Sequence, residues 1–133
     1  MSPDEVITFN GASEGIWAFM TTTLRPGDHV IVQAPAYHSL SAIARLIGCD
    51  VTFRQMDEER GWSPDLDALQ DLVRPATKAV IITSPHTPTG YQFPKEDFLS
   101  LARFAEDRDI TLFSDEGQRF LEHRADDRLP AIG

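Results

Sequence analysis

Apolar residues occur along the chain in two patterns, short unbroken runs and positions spaced three or four residues apart. The clearest run is Ala79–Thr83, which is rich in β-branched residues. Such a run is typical of a strand that helices cover on both faces of a parallel sheet, so we expect this strand to be central. Asp50–Gln55 alternates apolar and polar residues, as a half-exposed edge strand does. Further strands are predicted at Val6–Phe9, His29–Val32 and Ile110–Phe113.

Helical spacing of apolar residues occurs in segments between these strands. The apolar positions are Ile16, Met20 and Leu24, then Leu40, Ile43, Ala44 and Ile47, then Leu66, Leu69, Leu72 and Val73, and finally Phe98, Leu101, Ala102 and Ala105. Ser13 and Ser63 are predicted N-caps, and Gly48 is the predicted end of the second helix. Because strands and helices alternate without a linker or an internal repeat, the sequence predicts an α/β domain with a mostly parallel sheet and helices on both faces.

Two loops next to predicted strands have unusual sequences. Ser84–Gly90 contains two prolines and a glycine, which fix the backbone at the edge where open α/β sheets bind ligands. A proline-rich surface turn is the alternative interpretation. Asn10–Gly15 joins a strand to a helix, so the amides of Ala12, Ser13 and Glu14 lie unpaired at the positive end of the helix dipole, where phosphate binds. An ordinary helix start capped by Ser13 explains the same residues.

Tyr37 and Asp115 follow two further predicted strands. Tyr37 comes after His29–Val32 and is either a stacking platform for a flat ligand or an aromatic residue that packs on the sheet edge. Asp115 comes after Ile110–Phe113, and a carboxylate there requires a cationic or hydrogen-bonded partner, for example a protonated ring nitrogen. A helix N-cap or an ion pair with Arg119 is the alternative role of Asp115.

Composition places the chain among globular proteins of about one domain, with 133 residues, 41% hydrophobic and 25% charged. The net charge of −9 argues against nucleic acid and against an anionic membrane as partners, since both attract clustered Lys and Arg. No apolar run approaches membrane-spanning length. The first residues, Met1–Glu5, are acidic where a signal peptide is basic, and the single cysteine, Cys49, cannot form an internal disulfide. These features indicate the cytoplasm.

Taken together, the loops resemble those of the large domain of fold-type I pyridoxal-phosphate enzymes, the class I/II aminotransferase family. The resemblance covers Val6–His123 and lies in the order of the motifs Gly-Ala-Ser-Glu-Gly at 11–15, Pro-Ala-Tyr at 35–37, Thr-Pro-Thr-Gly at 87–90 and Asp-Glu at 115–116. It implies a three-layer large domain and pyridoxal 5'-phosphate as cofactor. It also implies transfer of an amino group between an amino acid and a 2-oxo acid, and a homodimer in full-length relatives.

The resemblance implies a role for most candidate residues. Gly11, Ala12 and Ser13 would hold the cofactor phosphate through backbone amides, and Ser13 would add its hydroxyl. Tyr37 would lie on the face of the pyridine ring. Asp115 would pair with the protonated ring nitrogen and keep the ring cationic, which stabilises the carbanion formed when the substrate Cα loses a proton.

Two positions depart from the family pattern, and both concern the same oxygen of the cofactor. Thr87 stands where the family usually has an asparagine that donates to the ring hydroxyl oxygen, and a threonine hydroxyl is shorter and offers one proton. Gln118 stands where the family often has a tyrosine that donates to the same atom. We expect both side chains at the cofactor, with weaker support for this oxygen.

Parts of the family pattern are absent. In the family, the lysine that binds the cofactor covalently follows the Asp-Glu strand, and neither Lys78 nor Lys95 matches it. No catalytic residue is therefore assigned, no metal site is expected, and residues 1–133 are expected to be an incomplete large domain that is inactive alone. Strands that flank Val6–Phe9 in the family are also absent, so this strand is expected to lose its ladder neighbours. Residues 119–133 are predicted to form a surface tail.

Two further expectations concern function. A catalytically dead remnant of the fold, with an interaction or regulatory role, is the alternative to an aminotransferase fragment. Within the family, Ser84-Pro85-His86 and the residues Arg119, Leu121 and Glu122 are similar to a branch near capreomycidine synthase, which handles an arginine-derived amino acid. The arginine that receives the substrate carboxylate in the family has no counterpart here.

Overall fold

Four parallel strands form the centre of the molecule in the computed structural model, which describes residues 2–130. The strands are β1 (His29–Ala34), β2 (Asp50–Gln55), β3 (Thr77–Thr83) and β4 (Thr111–Asp115), in the spatial order β2-β1-β3-β4. β1 and β3 are therefore the inner strands. Every residue of β1 is buried, as is every residue of β3 except Lys78, which confirms that the unbroken apolar runs lie at the centre of the sheet.

Helices cover both faces of this sheet, which confirms the predicted α/β fold. They are α1 (Ala12–Thr23), α2 (His38–Ile47), α3 (Leu66–Leu72) and α4 (Lys95–Glu106). Short 3-10 turns lie at Pro3–Glu5 and Ala125–Asp127. Within residues 2–130, no helix is both long enough and apolar enough to cross a membrane. The second helix ends at Gly48 in a left-handed conformation, as its sequence predicts.

The side chains of β3 divide between two apolar cores. Because successive side chains of a strand point to opposite faces, Ala79 and Ile81 pack into a core with α1 and α2. Val80 and Ile82 pack into the other core, with α3 and α4. The sheet is thereby fixed from both sides, and its carboxyl ends are held in place for the loops that follow.

The prediction of a strand at Val6–Phe9 is wrong. These residues form no strand, and Val6, Ile7 and Phe9 are 54%, 75% and 44% exposed. A strand requires a neighbour for its backbone N–H and C=O groups, and within residues 2–130 the sheet ends at β4 without reaching this segment. Phe9 lies against α1 instead, where a Cβ added to Gly15 would be 3.3 Å from the Phe9 ring.

Both predicted N-caps are wrong by two residues. Ser13 lies inside α1, whose N-cap is Gly11. Asp65, not Ser63, caps α3, and its Oδ1 accepts from the amides of Asp67 and Ala68 at 3.0 and 3.1 Å. A carboxylate is the stronger acceptor at the positive end of a helix, and the extended backbone of Asp65 places it there.

The chain after the sheet also differs from its prediction. β4 extends to Asp115, which pairs with Thr83 as the last residue of the strand. The predicted surface tail is partly packed, because Leu129 is 4% exposed and lies in the core beneath α3 and α4. The guanidinium of Arg119 donates to the carbonyl oxygen of Leu129 at 2.9 Å. Residues 131–133 of this tail lie outside the described residues.

A buried histidine connects three strands at the amino-terminal edge of the sheet. His29 is 1% exposed, and its Nδ1 and Nε2 lie 2.7 Å from Thr77 Oγ1 and 2.9 Å from Thr52 Oγ1. The guanidinium of Arg74 forms an ion pair with Asp50 and donates to Thr52 Oγ1 at 3.2 Å. Burial lowers the pKa of His29, and the positive charge of Arg74 lowers it further, so the ring is neutral at pH 7.

The lowered pKa of His29 predicts that the free energy of unfolding falls as the pH drops below about 6.5, the pKa of an unfolded histidine. Below this pH the unfolded chain binds a proton that the folded chain does not yet bind. Urea denaturation between pH 7.5 and 5.5 measures the effect, and His29→Gln is expected to reduce the slope by up to about 1.4 kcal/mol per pH unit. Burial also lowers the pKa of His86, so the part of the slope that His86 contributes remains in this variant. An unchanged slope would contradict the assignment to His29.

Candidate functional site

A cavity of about 450 Å³ lies at the carboxyl-terminal edge of the sheet. Its lining residues are Asn10, Gly11, Ala12, Ser13, Tyr37, Thr83, Thr87, Asp115, Gly117 and Gln118. All seven candidate residues from the sequence are among them, so the structure brings the predicted loops together around one space. The sequence did not single out Asn10, Thr83 and Gly117. Asn10 and Gly117 are adjacent to motif residues, and Thr83 ends β3. These positions are the signal that could have identified them.

The first turn of α1 forms one wall of this cavity. Gly11 precedes the helix with φ 116°, a backbone conformation that glycine adopts readily and other residues do not. The amides of Ala12, Ser13 and Glu14 have no acceptor inside the helix, because intrahelical bonding starts with the bond from Gly15 N to Gly11 O. Their partial positive charge makes this wall suitable for an anion.

Tyr37 lines a second side of the cavity. β1 ends at Ala34, and Tyr37 follows as the N-cap of α2, with an extended backbone. Tyr37 is 51% exposed, so its ring is not packed away against the edge of the sheet. This exposure favours the interpretation as a stacking platform over the interpretation as a packing residue.

The loop Ser84–Gly90 forms a third side and is held by its own hydrogen bonds. The amide of Gly90 donates to the carbonyl oxygen of His86 at 2.8 Å, and the amide of His86 donates to the carbonyl oxygen of Tyr91 at 2.8 Å. The Thr87–Pro88 peptide bond is cis. The two hydrogen bonds make this loop a defined turn, and Thr87 lines the cavity.

Asp115 lines the cavity at the end of β4. Its Oδ1 accepts from the amide of Gly117 at 3.1 Å. Of the described residues, none forms an ion pair with Asp115, because Arg119 donates to Glu116 at 2.5 Å instead. No helix begins at Asp115, since the chain continues into a turn. The two alternative roles are therefore wrong, and the carboxylate can meet a cationic group in the cavity.

Neither lysine of the chain lines this cavity. Lys78 is the second residue of β3 and lies at the opposite, amino-terminal end of the strand. Lys95 is the first residue of α4. Neither lysine is therefore placed to form an imine with a ligand in this cavity.

A second cavity of about 330 Å³ adjoins the first and shares Thr87 and Gln118 with it. His123 and Asp127, on the segment after β4, also line it. Within residues 2–130, no cluster of His, Cys, Asp and Glu side chains has the arrangement of a metal site.

Comparison with known proteins identifies relatives over most of the chain. The family model for aminotransferase class I and II matches residues 1–117. An aspartate/prephenate aminotransferase from Thermus thermophilus is 35% identical over 116 residues, which are 87% of this chain and 30% of that protein. A probable N-succinyldiaminopimelate aminotransferase from Mycobacterium tuberculosis is 33% identical over 130 residues, which are 97% of this chain and 33% of that protein.

Solved structures give the same result. The aspartate aminotransferase from Thermus thermophilus with maleate has a TM-score of 0.84 at 35% identity, over 87% of this chain and 30% of that chain. A PLP-dependent aminotransferase from Streptococcus suis has a TM-score of 0.77 at 36% identity, over 80% of this chain and 29% of that chain. The chain thus spans about 30% of the length of these relatives.

The geometry at the start of α1 predicts a large loss of stability for one substitution and a small change for another. Gly11→Ala places a side chain at φ 116° and is expected to lower the free energy of unfolding by about 1–2 kcal/mol. Ser13→Ala is the matched control in the same turn and is expected to change it by less than about 0.5 kcal/mol, because Ser13 is not the N-cap. Urea denaturation at pH 7 measures both. If Ser13→Ala alone lowered the free energy of unfolding by about 1 kcal/mol, Ser13 and not Gly11 would be the N-cap.

Proposed function

The chain belongs to the class I and II aminotransferase family, and from this premise we propose that its cavity holds pyridoxal 5'-phosphate as part of an amino-transferring enzyme. That enzyme would move an amino group between an amino acid and a 2-oxo acid. The observation that carries the proposal is the position of Asp115. Its carboxylate has no basic partner among the described residues, and it lines the same cavity as the amides at the start of α1.

The two ends of the cavity suit the two ends of this cofactor. The amides of Ala12 and Ser13 would bind the phosphate, where the helix dipole stabilises negative charge. Asp115 would hold a proton on the ring nitrogen, because a carboxylate in a partly enclosed site favours a cationic neighbour. Tyr37, half exposed at the cavity, would cover one face of the ring. The lining of the cavity thus offers one group for each of these parts of the cofactor.

Thr87 and Gln118 offer hydrogen-bond donors on the remaining side of the cavity. A threonine hydroxyl donates one hydrogen and a glutamine amide donates two, so each has a donor for an oxygen substituent of the ring. We propose that they bind the ring hydroxyl oxygen jointly. This role would replace the asparagine and tyrosine that the family pattern has at these positions.

When bound, pyridoxal phosphate supplies an electron sink that stabilises a carbanion at the substrate Cα. The residues of this chain would bind the cofactor, orient its ring and keep the ring nitrogen protonated. No lysine lines the cavity, so the residues around it are proposed to bind the cofactor reversibly, through non-covalent contacts. The relatives named above are aminotransferases, which favours this function over an interaction protein that has kept only the fold.

We propose an amino acid as substrate, a homodimer as the assembled state, and the cytoplasm as the compartment. The similarity to the capreomycidine synthase branch stays a prediction, because the comparisons reported above do not include that branch.

Titration with two forms of the cofactor tests the proposal. Pyridoxal 5'-phosphate and pyridoxamine 5'-phosphate, which has no aldehyde, are both expected to bind saturably, with inorganic phosphate as competitor. Absorbance and intrinsic fluorescence measure binding. Borohydride treatment followed by peptide mapping is expected to find no stoichiometric adduct at Lys78 or Lys95, because neither lines the cavity. Absence of saturable binding by either form would overturn the proposed function, and a stoichiometric adduct would overturn the non-covalent mode.

The proposed role of Asp115 predicts a change in selectivity. Asp115→Asn removes the negative charge and is expected to weaken pyridoxamine 5'-phosphate binding about tenfold or more, since a charge-assisted hydrogen bond is lost. Affinity for inorganic phosphate is expected to change by less than about twofold. Glu116→Gln is the matched control, because the adjacent carboxylate is paired with Arg119 and does not line the cavity. Equal losses for both ligands would show that Asp115 only supports the fold.

A further inference from the structure

His86 is a buried side chain next to the proposed cofactor cavity, and the proposed function assigns it no role. It is 2% exposed, and both ring nitrogens have partners. Its Nε2 lies 2.9 Å from the carbonyl oxygen of Pro35, and its Nδ1 lies 2.7 Å from Thr89 Oγ1. A carbonyl oxygen only accepts, so Nε2 carries the hydrogen and Nδ1 accepts from the Thr89 hydroxyl.

These contacts fix the imidazole within its own loop. The amide and the carbonyl oxygen of His86 are bonded to Tyr91 and Gly90. The Thr89 hydroxyl, which donates to Nδ1, also accepts from the amide of Tyr91 at 3.2 Å. Burial lowers the pKa of His86, which keeps the ring neutral and Nδ1 free to accept. The bond from Nε2 to Pro35 therefore connects a rigid loop to the neighbouring one.

The connection lies where the sheet no longer holds the two loops together. The ladder between β1 and β3 ends with the pair Val32 and Ile81. Beyond it, two hydrogen bonds that involve side chains connect these chain segments. Gln33 Oε1 accepts from the amide of Thr83 at 3.3 Å, and His86 reaches Pro35 one step further out.

We propose that His86 is a positioning residue that sets the separation between Tyr37 and Thr87, the two side chains that would face the cofactor ring. Pro35 is two residues before Tyr37, and Thr87 directly follows His86. Among residues 2–130, the bond from His86 to Pro35 joins the two loops, and through it His86 would set the width of the ring side of the cavity. The hydrogen bonds of His86 go to Pro35, Thr89, Gly90 and Tyr91, and none of these residues is at the start of α1, where the phosphate would bind. This inference rests on the proposed function and adds a residue to it.

Two substitutions of His86 separate the bond between the loops from the bond within its own loop. Glutamine can place an amide N–H near the position of Nε2, so His86→Gln keeps a donor for Pro35. Asparagine is shorter and places its polar atoms near the position of Nδ1, so His86→Asn keeps a partner for Thr89 and loses the bond to Pro35. Both variants lose the imidazole and retain a neutral amide, which makes each the control of the other.

Isothermal titration of the whole chain with pyridoxamine 5'-phosphate and, separately, with inorganic phosphate tests the proposal. His86→Asn is expected to bind pyridoxamine 5'-phosphate about tenfold more weakly than wild type, whereas His86→Gln stays within about threefold. Inorganic phosphate is expected to bind all three proteins within about twofold. The ratio of the two affinities is the decisive readout, because a loss of folded protein would lower both in proportion.

Three other results of these titrations would overturn the positioning role of His86. Equal affinities of the two variants for pyridoxamine 5'-phosphate would overturn the positioning role while leaving the proposed function intact. A parallel loss for both ligands would assign His86 to stability alone and would also overturn the role. Failure of the wild-type chain to bind pyridoxamine 5'-phosphate would overturn the proposed function and, with it, the inference that depends on it.

Discussion

Parallel pairing of the four strands is the constraint on which the rest of the structure depends. In a parallel sheet all the carboxyl ends lie on one edge, and each connection must return across a face of the sheet. The loops after β1, β3 and β4 therefore meet at one edge, beside the start of α1. Tyr37 and Asp115, which are far apart in the sequence, line one cavity for this reason.

Most of the fold could be predicted because its strands and helices have strong local patterns. Residues 79–82 of β3 form an unbroken apolar run, and all four are buried. In α4, Phe98 and Leu101 repeat at helical spacing. Val6–Phe9 has a similar apolar pattern and still forms no strand, because pairing depends on neighbours that a local pattern does not reveal. The start of α3 was misplaced since Ser63 and Asp65 are both good N-caps, and only the backbone geometry decides between them.

Convergence of the candidate site could likewise be predicted, since Tyr37, Thr87 and Asp115 all lie at the carboxyl ends of strands of one parallel sheet. The partners of individual side chains could not. Arg119 is close in sequence to both Asp115 and Glu116, and its pairing with Glu116 depends on the turn that follows β4. The bond from His86 to Pro35 joins residues far apart in sequence, and no pattern in either loop indicates it. Such contacts depend on loop conformation and rotamers, which the spacing of residues does not determine.

One cavity at the carboxyl edge of the sheet is proposed to bind a flat, phosphorylated molecule with a protonated ring, through the groups that line it. A crystal structure of the chain soaked with pyridoxamine 5'-phosphate tests this claim most directly. We expect the phosphate at the amides of Ala12 and Ser13, the ring beside Tyr37, and the ring nitrogen within hydrogen-bond distance of Asp115. A ligand bound elsewhere, or an Asp115 carboxylate that pairs with a protein cation and faces away from the ring, would contradict it.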